Sequence, residues 1–215
     1  MRHRQLLLFV GYVALLFASA IVRDFYLIPL ASHLPAGWLI EPLWKIIFWL
    51  LPSWLYISRI ERKPPLSYWG AQHLGRGVLG GLLGCVGIAA LVVPSLLIRH
   101  ATFHWVDTDS WLNGVALVGV MEEVPFRGVV FGVLFQHSST NVGKTLAVVL
   151  SCIVFALVHV PLWWVGGLAF PVILNHFVII CVLGAFFAVA YWYSGSLWSS
   201  VIMHMVYDAL QTFFF

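Results

Sequence analysis

The chain has 215 residues, of which 62% are hydrophobic and 9% charged, with a mean hydropathy of +0.98. These values lie far outside the range of soluble domains and leave almost no length for one. Eleven Lys and Arg against eight Asp and Glu give a net charge of +3; with no DNA-binding motif present, that charge reads as membrane topology and excludes a nucleic-acid partner.

A bilayer core of about 30 Å requires about 20 apolar residues per helix. Seven stretches meet that requirement: Gln5–Val22, Trp38–Ile57, Gly77–Ile98, Trp111–Phe135, Thr145–Val165, Phe170–Tyr193 and Ser196–Phe214. The expected fold is therefore all-α, a polytopic transmembrane helical bundle of about seven helices forming one integral membrane domain over residues 1–215. No internal repeat, low-complexity tract or linker divides it.

The first span follows Met-Arg-His-Arg and ends near Ala18-Ser19-Ala20, a pattern shared with cleavable signal peptides. Its apolar run is long for one, and a retained helix is expected. The segment Phe25–Pro35, with Pro29 and Pro35, is semi-apolar and suits an interfacial position. At the start of the second span, Glu41 and Lys45 stand one helical turn apart and read as an interfacial ion pair. Ser58–Arg76, with Pro64-Pro65, reads as a basic loop at the anionic inner leaflet.

Lys and Arg gather on the cytoplasmic side of membrane proteins. With the N-terminus inside, Arg2, Arg4, Arg59, Arg62, Lys63, Arg76 and Lys144 are cytoplasmic, whereas Arg23 and Arg99 are outside together with Asp107 and Asp109. Seven against two commits the chain to N-in, C-out, as a multi-pass protein expected in a prokaryotic plasma membrane. Cys85, Cys152 and Cys181 all fall inside spans and read as small buried hydrophobes, with no disulfide framework. Most of the eleven Trp mark membrane boundaries, and Trp163 and Trp164 after Pro161 suit an entrance. His33, His73, His100, His104 and His137 fall in loops or at span ends, and His176 reads as a packing residue.

The fourth span departs from all this, because Glu122, Glu123 and Arg127 sit in its middle. A charge at that depth costs roughly 2.5 to 3.5 kcal/mol unless it is paired or faces a wet cavity. Residues four apart share a helix face while neighbours diverge by about 100°. Glu123 therefore pairs with Arg127, and Glu122, pointing elsewhere with no cation of its own on the helix, is the carboxylate suited to be a general base. Pro125 has no N–H for the carbonyl of Met121, so a local irregularity that admits water is expected beside the glutamates.

Two further elements follow, Phe155-Ala156-Leu157-Val158-His159 in the fifth span and His204-Met205-Val206-Tyr207-Asp208 in the seventh. At 1.5 Å per residue, Glu122 and His159 lie about 20 Å from the inner ends of their helices, and His204 and Asp208 about 12 and 18 Å. All four reach a similar depth. No Ser or Cys stands near a base in these elements.

Glu-Glu-x-x-x-Arg, Phe-x-x-x-His and His-x-x-x-Asp, in this order on successive membrane helices, resemble the CAAX protease and bacteriocin-processing family of intramembrane glutamic endopeptidases, which includes the eukaryotic enzyme that trims prenylated CAAX proteins. The resemblance covers about Trp111 to Asp208 and marks residues 111–208 as the protease core. It implies that Glu122 and His159 activate a water and that His204 and residue 208 stabilise the oxyanion. Glu123 and Arg127 would brace the site. The implied substrate is a membrane-associated protein or peptide, with no cofactor and no metal. Position 208 is Asp where the best-known members carry Asn, and an ionised carboxylate cannot donate to an oxyanion. Asp208 is therefore expected to orient His204 by accepting its ring N–H.

Two other readings compete with this one. Glu122, His159, His204 and Asp208 are also a possible zinc set, although no His-Glu-x-x-His motif is present. Buried carboxylates and imidazoles also serve proton-coupled transport or survive in a non-catalytic scaffold.

Overall fold

The computed structural model describes every residue except Arg2, Ser32, Pro35, Ala36 and Phe215, together with the side chain of Asp109. The expectations for Arg2 as a cytoplasmic charge and for Pro35 at the end of an interfacial segment lie outside the described residues. Among those that are described there is no strand. Seven long helical segments form the bundle: α1 His3–Ala31, α2 37–60, α3 Ala71–Ile98, α4 108–136, α5 Asn141–Val165, α6 Phe170–Ser194 and α7 Trp198–Phe214. A short helical turn, Pro65–Tyr68, joins α2 to α3.

Helices α1, α3, α5 and α6 are long and apolar enough to cross a membrane. Helices α2 and α4 carry the charges of the site, and α7 has 17 residues. The outward faces are as apolar as the interior: on α3, Leu82, Leu83 and Val86 are 58%, 66% and 69% exposed. Such a surface is stable against lipid tails, where each helix satisfies its own backbone groups. The chain is an integral membrane protein.

Helix α1 runs nine residues beyond the expected end at Val22, to Ala31. Arg23 and Asp24 do not break it, because Arg23 Nε donates to Asp24 Oδ1 at 2.7 Å and both residues are buried. Arg23 is therefore part of the bundle and not the outer-loop charge that its position in the sequence implied. Polar contacts pin α1 to α2, among them Trp49 Nε1 to Ser19 Oγ at 2.7 Å, Tyr12 Oη to Ser53 Oγ at 2.7 Å and Trp44 Nε1 to the Ser19 carbonyl at 3.2 Å.

The main core gathers Leu16, Trp49, Ile57, Phe126, Phe131 and Phe155 from α1, α2, α4 and α5, and a second cluster joins Ile88, Phe187 and Met203 of α3, α6 and α7. Glycine sets the approach of α7 to two neighbours. A Cβ at Gly81 of α3 would stand 2.9 Å from Ile202 Cβ, and one at Gly119 of α4 would stand 2.7 Å from Met205 Cγ. Small residues at such crossings allow membrane helices to approach closely. The second contact brings the Glu-Glu element of α4 against the His element of α7.

The helices alternate in direction, so the basic residues of the α1 start and of the α2–α3 connection collect at one end of the bundle. Arg4 shares a surface cavity with Arg59 and Arg62 there, Lys63 bonds Gln136, and Arg76 donates to the Tyr193 carbonyl at 3.2 Å. The connection between α2 and α3 is packed down: Leu197 N bonds the Trp69 carbonyl at 2.9 Å, and Gly70 at φ +73° lies so close to Gly195 that no side chain would fit. At the opposite end, His104 N bonds the Phe213 carbonyl at 2.8 Å and Asn113 bonds the Trp38 carbonyl at 3.0 Å. The three cysteines are free.

Candidate active site

Glu122 and Glu123 close the regular stretch Val118–Glu123 of α4, and Val124–Phe131 continues in π register before regular helix resumes at Gly132. The irregularity expected at Pro125 thus takes the form of a widened helix, which is common at functional sites. Glu123 and Arg127 still meet across one turn: Arg127 Nη1 lies 3.0 Å from Glu123 Oε1, and both side chains are fully buried. The guanidinium carbon stands 4.0 Å from the Phe155 ring centre and 5.2 Å from that of Phe187. Arg127 is therefore held by charge and by two aromatic faces.

Helix α7 brings His204 to the same carboxylate, with Nδ1 2.7 Å from Glu123 Oε1, while its ring stacks on Phe187 with the centroids 5.1 Å apart. An ionised carboxylate only accepts, so Nδ1 carries the proton. Glu123 thus meets the Nδ1 edge of the His204 ring. Asp208 Oδ2 lies 3.3 Å from the opposite ring nitrogen, Nε2, but makes no hydrogen bond. The expectation that Asp208 accepts a ring N–H concerns this Nε2 edge, where the two groups stand at ion-pair distance.

His159 owes its position to a break in α5. Leu157 ends one helical stretch and Val160 begins the next, with Pro161 inside its first turn. Proline has no N–H for the carbonyl of Leu157, and it disfavours helical backbone before it. Here His159 N turns to the Ala156 carbonyl at 3.2 Å, and the Phe155 carbonyl is met instead by His159 Nδ1 at 2.7 Å. The ring is thereby fixed with Nε2 pointing inward.

Both inward nitrogens converge on Glu122. Its Oε2 lies 3.6 Å from His159 Nε2 and 4.0 Å from His204 Nε2. The three separate sequence elements thus share one centre. Its other oxygen, Oε1, accepts from Lys45 Nζ at 2.9 Å. Glu122 has no cation on its own helix, as expected, but it is not unpaired, because α2 supplies one.

Lys45 is 5% exposed and also lies 3.0 Å from Glu41, so the pair read as interfacial is an extension of the site into the bundle. Arg23 Nη1 stands 3.7 Å from the same Glu41 oxygen. The sequence signal for these residues was present, since a lysine nine residues into α2 is a charge at membrane depth. The nearby Glu41 gave it a local explanation.

A cavity of about 350 Å³ opens on this group, lined by Glu122, His159, His204, Asp208 and Lys45, and it reaches Glu41 and Asn113 away from the basic end. A larger cavity of about 590 Å³ adjoins it and shares Ile180, Leu183 and Tyr207. Trp163 and His176 line the larger one, and Trp163 stacks on His159 with the centroids 5.8 Å apart. Trp164 is 63% exposed and lines neither.

Comparison with known proteins adds one finding. Residues 104–210 match the family model described as type II CAAX prenyl endopeptidase Rce1-like. The chain belongs to this family. The matched stretch holds Glu122, Glu123, Arg127, His159, His204 and Asp208, while Arg23, Glu41 and Lys45 lie outside it. No curated protein and no solved structure matches the chain. Membership supports a protease of the CAAX type embedded in the membrane.

Proposed function

We propose that the protein is an intramembrane glutamic endopeptidase that hydrolyses a peptide bond in a membrane-associated protein or peptide. The observation that carries this reading is the convergence of one carboxylate oxygen, Glu122 Oε2, with His159 Nε2 and His204 Nε2 at 3.6 and 4.0 Å inside a cavity. With its proton on Nδ1, His159 presents a lone pair to the carboxylate, so both groups are acceptors. A water donating to the two is the species that suits them.

In this mechanism the water oxygen bonds to the scissile carbonyl carbon as its proton passes to Glu122, with His159 holding the second hydrogen. His204, protonated on both nitrogens, donates from Nε2 to the oxyanion while Glu123 holds Nδ1. Glu122 then returns its proton to the amide nitrogen as the C–N bond breaks. Arg127 balances Glu123, and Asp208 lines the oxyanion side. Acid–base assistance is worth about 10² to 10⁴-fold, and an oxyanion donor about 10² to 10³-fold.

The zinc reading is not favoured. Among the described residues no three His, Cys, Asp or Glu are grouped as a metal site, and the Lys45 ammonium at 2.9 Å from Glu122 is a poor neighbour for a bound cation. Metal analysis of the purified protein, with cleavage measured in strong chelator, checks this.

The experiment that tests the proposal compares the proteome of a host carrying the native protein with one carrying Glu122→Ala, and identifies the precursor that accumulates. Purified Glu122→Gln should fold and leave that precursor uncut. Turnover near the native rate would refute the assignment.

A further inference from the structure

We propose that Lys45 is a positioning residue for Glu122, so that the working site is assembled from two parts: the motif helices α4, α5 and α7, and a charged clamp supplied by α1 and α2 from outside the family-matched stretch. This inference rests on the glutamic endopeptidase reading.

Glu122 is a long, flexible side chain in a cavity, and its neighbours on the motif side are two imidazoles beyond hydrogen-bond distance. The contact that fixes it comes from α2. Lys45 Nζ bridges Glu122 Oε1 at 2.9 Å and Glu41 Oε1 at 3.0 Å, which divides the Glu122 carboxylate into a held oxygen and a free one. Only the free oxygen, Oε2, faces His159 and His204. The lysine is itself held. Arg23 lies 3.7 Å from Glu41 and 2.7 Å from Asp24, so charges alternate in sign from Asp24 through Arg23, Glu41 and Lys45 to Glu122. The Trp49 ring supports both cations, with Arg23 Cζ 5.2 Å and Lys45 Nζ 5.4 Å from its centre. Trp49 is 1% exposed and anchored by Ser19 of α1.

A lysine that only balanced charge would need no such support. An ammonium fixed by two carboxylates and an aromatic face sets the place of Glu122, and displacement of a catalytic group by about 1 Å can cost about 10²-fold in rate. Lys45 acts through Glu122 and transfers no proton.

Two measurements test this. The first follows turnover of the precursor that accumulates with Glu122→Ala. Lys45→Met should lower kcat about 100-fold while the protein remains folded, Lys45→Arg should restore it to within about tenfold of native, and Glu41→Gln should fall between. Lys45→Gln carries the same test if Lys45→Met does not fold. Native turnover in a folded Lys45→Met or Lys45→Gln protein overturns the proposal. The second is a thermal-unfolding cycle of Lys45→Met, Glu122→Gln and the double variant, which needs no substrate. The double variant should lose less than the sum of the single losses, because it removes both charges of the pair; strict additivity overturns the proposal. Were Glu122→Gln to cleave normally while the cycle showed coupling, the endopeptidase reading would fail and the Lys45–Glu122 contact would stand.

Discussion

His204 is held from behind by Glu123: its Nδ1 lies 2.7 Å from the carboxylate oxygen that also stands 3.0 Å from Arg127. The two adjacent glutamates thus face different partners. Glu122 looks into the cavity toward two imidazoles and a lysine, and Glu123 looks into the core toward an imidazole and a guanidinium.

Removing Glu123 should therefore disturb His204 more than it disturbs Glu122. Outer-shell carboxylates that orient a histidine are worth about 10 to 100-fold, and we expect Glu123→Ala to lower kcat for the accumulated precursor by that much. Glu123→Gln should lose less, because its amide oxygen still accepts from Nδ1–H. Equal losses in the two variants would show that charge, and not orientation, is what Glu123 supplies.

Asp208 makes a sharper case. Its Oδ2 has no hydrogen bond and lies 3.3 Å from His204 Nε2. Asparagine has the same shape and adds an N–H donor aimed at the oxyanion side. Asp208→Asn should keep at least native turnover, whereas Asp208→Leu, which removes the polar neighbour of His204 Nε2, should lose about 10 to 100-fold, the scale of an outer-shell carboxylate on a histidine. A dead Asp208→Asn enzyme would mean that the carboxylate itself is required.

Arg127 tests the buried pair. Lysine keeps the charge but not the planar group that lies against Phe155 and Phe187. Thermal unfolding in detergent should show Arg127→Lys less stable by about 1 to 2 kcal/mol, the scale of a desolvated cation–π contact. Arg127→Ala strands Glu123 and should cost about 3 to 5 kcal/mol. Native stability in both would remove Arg127 from any bracing role.

The α3 crossing gives a prediction free of chemistry. A Cβ at Gly81 would meet Ile202 Cβ at 2.9 Å, while one at Gly11 of α1 would meet nothing within 4 Å. Gly81→Val should destabilise by about 1 to 3 kcal/mol through overpacking. Gly11→Ala should be neutral or stabilise by up to about 1 kcal/mol, as an exposed helical glycine replaced by alanine does. Matching melting temperatures for the two variants would show that α3 and α7 do not pack this closely.

What was legible in the sequence was local. The Glu123 to Arg127 pair follows from a four-residue spacing, and the shared depth of Glu122, His159 and His204 follows from counting residues; the break in α5 at Pro161 was passed over because the hydropathy of Thr145–Val165 is continuous. The contacts that were missed are distant in the chain, 81 residues apart for Glu123 and His204 and 77 for Lys45 and Glu122. They depend on how each helix is rotated about its axis, which hydropathy leaves open. The end of α1 was misread for a related reason: a hydropathy window counts Arg23 and Asp24 as two charges, whereas in the bundle they form one buried dipole.

The chemistry proposed at Glu122 also bears on the form of what is cut. In a wound segment the carbonyls are already bonded within their own coil. On the endopeptidase reading, chain that has first unravelled into an extended strand presents a bare amide to the centre, so the ease with which a membrane segment frays becomes a filter on what is cut.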